Sequence, residues 1–138
     1  MKLLKESYRI LRQIFYLPRY ITNFLFGTFY YDNFLAKSKI KHSGYLPLNK
    51  KIVIFLIFPD CGLEKSHLRT LRYFIRNNFS PLIVSNLPLS KEDKNLLLEY
   101  CWTLIERKNY GSDFGGYRDG ILFLSEKIRD LDKLILIN

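Results

Sequence analysis

Cysteine is scarce in this chain: Cys61 and Cys101 are the only two, with no CxxC spacing and no His/Cys set around either. That excludes a disulfide framework and argues against a structural metal centre. Both thiols read as free, in a cytoplasmic protein, behaving as small hydrophobes. Long apolar runs are also missing. The nearest, Tyr20 to Ala36, is interrupted by Thr22, Asn23, Asp32 and Asn33, short of the roughly 20 apolar residues that a spanning helix needs. The opening residues, Met1 to Glu6, have neither the apolar core nor the small-residue cleavage site of a secretory signal. Acids are few in the first third. Residues 1–51 carry ten Lys/Arg against Glu6 and Asp32, a balance of +8, whereas residues 52–138 are close to neutral at +1. Glycine is sparse as well, seven in all, yet four of them fall between Asn109 and Gly120.

What is present suits one globular domain: 138 residues, 48% apolar and 25% charged, with length near the usual size of a single domain. From Leu3 to Leu17, the residues Leu3, Leu4, Leu11, Ile14 and Phe15 fall on one helical face. Lys2, Lys5, Arg9, Arg12 and Gln13 lie opposite. This spacing predicts a basic amphipathic helix that stops near Pro18. Tyr20, Phe24, Phe26, Phe29, Tyr30, Tyr31 and Phe34 follow as a dense aromatic run. Aromatics with basic flanks suit an anionic membrane surface. Packing on the domain or on a partner chain is the competing reading, and no motif supports nucleic-acid binding. Residues 1–36 thus read as a basic, aromatic helical segment, 37–50 as a linker without a sustained period, and 51–138 as an α/β domain.

Lys51 to Phe58 is a continuous β-branched and aromatic run, as in a strand buried on both faces. A helix is expected over Glu64 to Asn78, from the 3/4 spacing of Leu68, Leu71, Phe74 and Ile75, with Arg69, Arg72 and Arg76 as a solvated face. Pro81 to Ser85 reads as a second strand. Ser90, three residues before Asp93, is an N-cap for a helix running to about Tyr100. Trp102 to Arg107 reads as a third strand, and Lys133 to Ile137 as a fourth. The order β-α-β-α-β-α-β implies a three-layer α/β fold with a mainly parallel sheet and right-handed crossovers. Ligands of such sheets bind beyond the carboxyl ends of the strands. Three segments should collect there: Pro59-Asp60-Cys61, Ser85-Asn86, and the stretch Asn109 to Gly120. The last reads as a glycine-rich turn leading into a helix from about Ile121 to Arg129, a setting that favours anionic groups.

In that stretch Asp113 reads as a turn or N-cap residue, and Arg118 as an ordinary ion-pair partner of Asp119 or Asp113. Asp119 reads as a solvated acid of the first helical turn, Asp60 as a plain turn residue, and His42 and His67 as isolated surface residues. Ser112 has no His partner, so a serine nucleophile is not supported.

The stretch Asn109-Tyr-Gly-Ser-Asp-Phe-Gly-Gly-Tyr-Arg-Asp-Gly120, followed by Leu131-Asp-Lys-Leu-Ile-Leu-Ile-Asn138, resembles the rhamnan synthesis protein F family over about residues 50–138. The matching positions are Asn109, Gly111, Asp113, Gly115, Tyr117, Arg118 and Gly120, and the strand end Phe58-Pro59-Asp60 is similar as well. These are glycosyltransferases of bacterial cell-wall and lipopolysaccharide assembly. The resemblance implies a GT-A-like fold, a nucleotide-sugar donor such as dTDP-rhamnose, and a glycan or lipid-linked acceptor at the inner face of the cell membrane. It places donor binding on Asp60, Asn109, Gly111, Asp113, Gly115, Gly116, Arg118 and Gly120. It also implies Mg2+ or Mn2+ held by a motif that would follow Asn138, so the chain reads as the N-terminal part of an enzyme with no catalytic residue assigned. The alternative is a non-catalytic fragment or a membrane- or partner-binding module.

Overall fold

The computed structural model describes residues 12–13, 15–18, 21–22, 26–27, 29–35 and 39–138. Contacts divide the chain into two units, Met1–Lys37 and Ser38–Asn138.

Most of the expected basic helix lies outside the described residues. Those described between 12 and 30 are helical, and they include Pro18, which was expected to end the helix. Tyr31–Leu35 forms a π-helical turn, with Tyr30 and Phe34 stacked at 5.4 Å. Phe15, Phe26, Phe29 and Phe34 are all exposed. No helix of the described residues is long and apolar enough to cross a membrane.

The second unit is an α/β domain around a mixed sheet of five strands: β1 (Ile40–Ser43), β2 (Lys51–Ile57), β3 (Ser80–Ser85), β4 (Thr103–Glu106) and β5 (Lys133–Ile137). Three α-helices lie between them, α1 (Lys65–Arg76), α2 (Lys91–Leu98) and α3 (Ser112–Ser125). The strand order is β1-β4-β3-β2-β5. The four strands expected from the sequence are parallel neighbours. β1 is the addition. It pairs antiparallel with β4, Ile40 opposite Glu106 and Ser43 opposite Thr103, so part of the stretch read as a linker over 37–50 is an edge strand. Its four residues, Ile-Lys-His-Ser, are too short and too polar to show an apolar period.

β2 lies inside the sheet between β3 and β5, and its residues alternate between two cores, as the two-residue period of a strand requires. Ile52, Ile54 and Leu56 join Leu82, Val84, Ile105 and Leu124 of α3 on one face. Phe55 and Ile57 join Ile83, Leu104, Leu71 of α1 and Leu97 of α2 on the other. Each of these fully buried aliphatic side chains contributes about 1.5–3 kcal/mol by leaving water. Helices therefore cover both faces of the sheet.

The helices begin where the local chemistry allows. Ser90 caps α2, its side chain accepting the Asp93 N–H at 3.0 Å, as expected. At α1 the N-cap Glu64 donates its backbone N–H to His67 Nδ1 at 3.0 Å, which gives His67 a capping role. α3 is the departure. The expected glycine-rich turn over 109–120 is confined to its first residues, and the helix starts at Ser112 rather than near Ile121.

Candidate functional site at the carboxyl edge of the sheet

The reason α3 starts early lies in what its glycines touch. Gly111, the N-cap, has φ of 74°, and Ser112 follows at 50°. Two successive left-handed residues make the sharp entry, and only the first is a glycine. The other three sit in the helix. A Cβ on Gly116 would stand 2.3 Å from Leu56 Cδ1, and one on Gly120 would stand 3.0 Å from Ile54 Cγ2. A Cβ on Gly115 would stand 2.2 Å from the Tyr110 carbonyl oxygen and 2.8 Å from Arg107 Nη2. These glycines let the helix approach the sheet and the β4–α3 connection; they do not form a turn. Gly116 and Gly120 are buried against the sheet, so they act on any ligand only through the helix they seat.

That close approach inserts Asp119 beneath the edge. It was read as a solvated acid; instead its side chain has no exposure, and its two oxygens take different cations. Lys39 Nζ lies 2.6 Å from Oδ1, and Arg107 Nε lies 2.8 Å from Oδ2. Arg107, itself almost fully buried, also donates to Asn86 Oδ1 and to the Tyr110 carbonyl. The topology explains the convergence. Asn86 and Arg107 are the first residues past β3 and β4, fixed by Asn86 N–H to Ile57 O at 3.1 Å and Arg107 N–H to Ser85 O at 2.9 Å. Lys39 arrives because β1 runs antiparallel, which puts its start where β4 ends. A buried charge held by paired partners and hydrogen bonds is the form in which burial is tolerated.

Beside this network Glu106 accepts from Lys94 Nζ at 2.6 Å, from the Leu89 N–H at 3.0 Å, and from His42 Nε2 at 2.8 Å. Burial pushes its carboxyl up, but the Lys94, Leu89 and His42 hydrogen bonds outweigh that and hold it below the ordinary carboxylate value. His42 is therefore a half-buried partner of Glu106, not an isolated surface residue. A cavity of about 380 Å³ opens here, lined in part by Asn86, Glu106, Arg107 and Asn109.

The sequence-derived site residues are distributed along this edge. The chain reverses direction across the sheet after β4: β5 lies on the far side of β2 from β3. Open α/β sheets form their binding crevice where such a reversal occurs. Asp60 is exposed in the loop after β2 and receives the Cys61 thiol at 3.5 Å. Asp113 is exposed in the first turn of α3, where Asn138, just past β5, donates to its Oδ2 at 3.1 Å. Gly111 and Asn109 are exposed nearby in sequence. Arg118 is half-buried, with Nη1 shielded from solvent. The structure thus brings Asp113 and Asn138 together and leaves the α3 N-terminus open, while Gly115, Gly116 and Gly120 support from behind.

Arg107 and Lys39 were not singled out from the sequence, and Asn86 was placed at the ligand edge without a role. Arg107 carried one signal, a charged residue at the end of a buried strand. Lys39 carried none. No group of three among His, Cys, Asp and Glu is placed to hold a metal ion among the described residues.

Residues 82–138 match the family model described as Rhamnan synthesis protein F, so the resemblance holds for the part of the chain that carries most of β3, α2, β4, α3 and β5. Over 108 residues the chain is 37% identical to an uncharacterized protein, y4gN, of Sinorhizobium fredii (strain NBRC 101917 / NGR234). That alignment covers 78% of this chain and 28% of the relative, so the chain spans little more than a quarter of the relative's length. No solved structure matches.

Proposed function

We propose that this chain is the donor-binding part of a glycosyltransferase of rhamnan-type cell-surface polysaccharide synthesis, with a GT-A-like arrangement and a nucleotide-sugar donor such as dTDP-rhamnose. The observation that carries the reading is the open N-terminus of α3, set at the sheet reversal by Gly111 and Ser112 within residues that match the family. Free N–H groups and the positive end of the helix dipole stabilise a phosphate there. Asp113 accepts from ribose hydroxyls, Asp60 meets the base, Asn109 borders the neighbouring cavity, and Arg118 supplies a guanidinium to the diphosphate. Arg107, Asp119 and Lys39 hold α3 in place and do not touch the donor. The acceptor is a glycan or a lipid-linked glycan at the inner face of the membrane, where the basic N-terminal segment associates.

The test is an NMR titration of the full chain with dTDP and with dTDP-rhamnose, each with and without Mg2+. Amides of 109–118 and of Asn138 should shift, and Asp113→Ala should weaken binding by about tenfold, the effect of one hydrogen bond of ~1.4 kcal/mol. Unmoved amides at saturating nucleotide would sink the proposal.

A further inference from the structure

The donor site makes no use of the helix α1, whose outer surface is unlike the rest of the domain. Lys65, Arg69, Arg72 and Arg76 recur at intervals of four, three and four residues, which places them within an arc of ~60° along three turns. Leu71 faces the core under the sheet, and Leu68 borders the row of cations. The helix has no acidic residue. Among the described residues, none of the four cations is paired with a carboxylate. Arg72 donates to the Tyr100 hydroxyl at 3.1 Å and lies 5.4 Å from the centre of its ring. The cations line a groove of about 660 Å³ with the exposed Tyr73 at its side. An uncompensated row of guanidinium groups costs self-repulsion, which an external polyanion relieves.

We propose that this face of α1 docks on an anionic lipid surface and orients the domain on it. Charge complementarity selects phosphate-bearing partners, and the aromatic neighbours favour a membrane over a nucleic acid. A single strand would need open ring faces for its bases, but Tyr100 is covered by Arg72, and Tyr73 is engaged edge-to-face with Phe74 at 5.3 Å. A planar array of headgroups needs only the row of cations, with a tyrosine at the interface beside it. This surface is distinct from the donor site.

The full chain should sediment with phosphatidylglycerol vesicles and not with phosphatidylcholine vesicles, and added salt should release it. The triple variant Arg69→Gln, Arg72→Gln, Arg76→Gln should bind the anionic vesicles about a hundredfold more weakly, whereas Arg→Lys at the same positions should retain binding. A Lys2, Lys5, Arg9, Arg12 to Gln variant separates the N-terminal contribution. Any of three results overturns the proposal: the arginine-to-glutamine variant binds as well as the parent, the lysine variant fails as badly, or the chain prefers a single-stranded RNA to the vesicles at equal salt.

Discussion

α1 and α3 pack on opposite faces of one sheet by opposite means. α1 is a conventional amphipathic helix. Its apolar stripe meets Phe55, Ile83 and Leu104, and its cations point away. α3 has no comparable polarity. Its contact with the sheet runs through Gly116 and Gly120, which admit Leu56 and Ile54 almost to the backbone, and through an aspartate buried among cations. A helix can thus be seated either by side chains that fill a space or by side chains that are missing from it. Only the second places backbone and fixed charge right at the carboxyl edge, where a ligand of this fold would bind.

Mutation should separate the two modes. The largest effect is expected at Asp119. Asp119→Ala leaves Lys39 and Arg107 buried without their shared carboxylate, and should cost about 3–5 kcal/mol in urea unfolding. A loss below about 1 kcal/mol would mean that the network is not what fixes α3. Gly115→Ala comes next. Alanine gains up to about 1 kcal/mol of helix propensity, but its methyl meets the Tyr110 carbonyl and Arg107, so a net loss of about 1–3 kcal/mol is expected. A more stable variant would show that the helix can move outward and that close seating is dispensable. The smallest effect belongs to α1: each Arg→Gln of its outer row should change stability by no more than ~0.5 kcal/mol, so that any loss of vesicle binding is separable from unfolding.

The same contrast explains what the sequence made legible. α1 was readable from its 3.6-residue period, β2 to β5 from short apolar runs, and α2 because capping at Ser90 is local. β1 was not, since four polar-rich residues become a strand only when β4 offers its edge. α3 was half read. Four glycines in twelve residues signal a turn by propensity, each costing a helix about 1 kcal/mol, and only the packing against Leu56 and Ile54 reverses that preference. The spacing Gly116, Asp119, Gly120 already marks one helical face, so Asp119 was recoverable as a sheet-facing acid. Its cations were not, because Lys39 lies 80 residues away.

That separation also gives the Lys39–Asp119 bridge a place in time. Two groups so distant in the chain meet only after the entropy of closing the intervening loop has been lost. Strand pairing from β1 through β4 and the docking of α3 must come first. The bridge therefore closes as a late clasp on an assembled domain. Interactions made after the folding barrier act mainly on the rate of opening, so its strength bears on how long the domain stays folded more than on how quickly it folds.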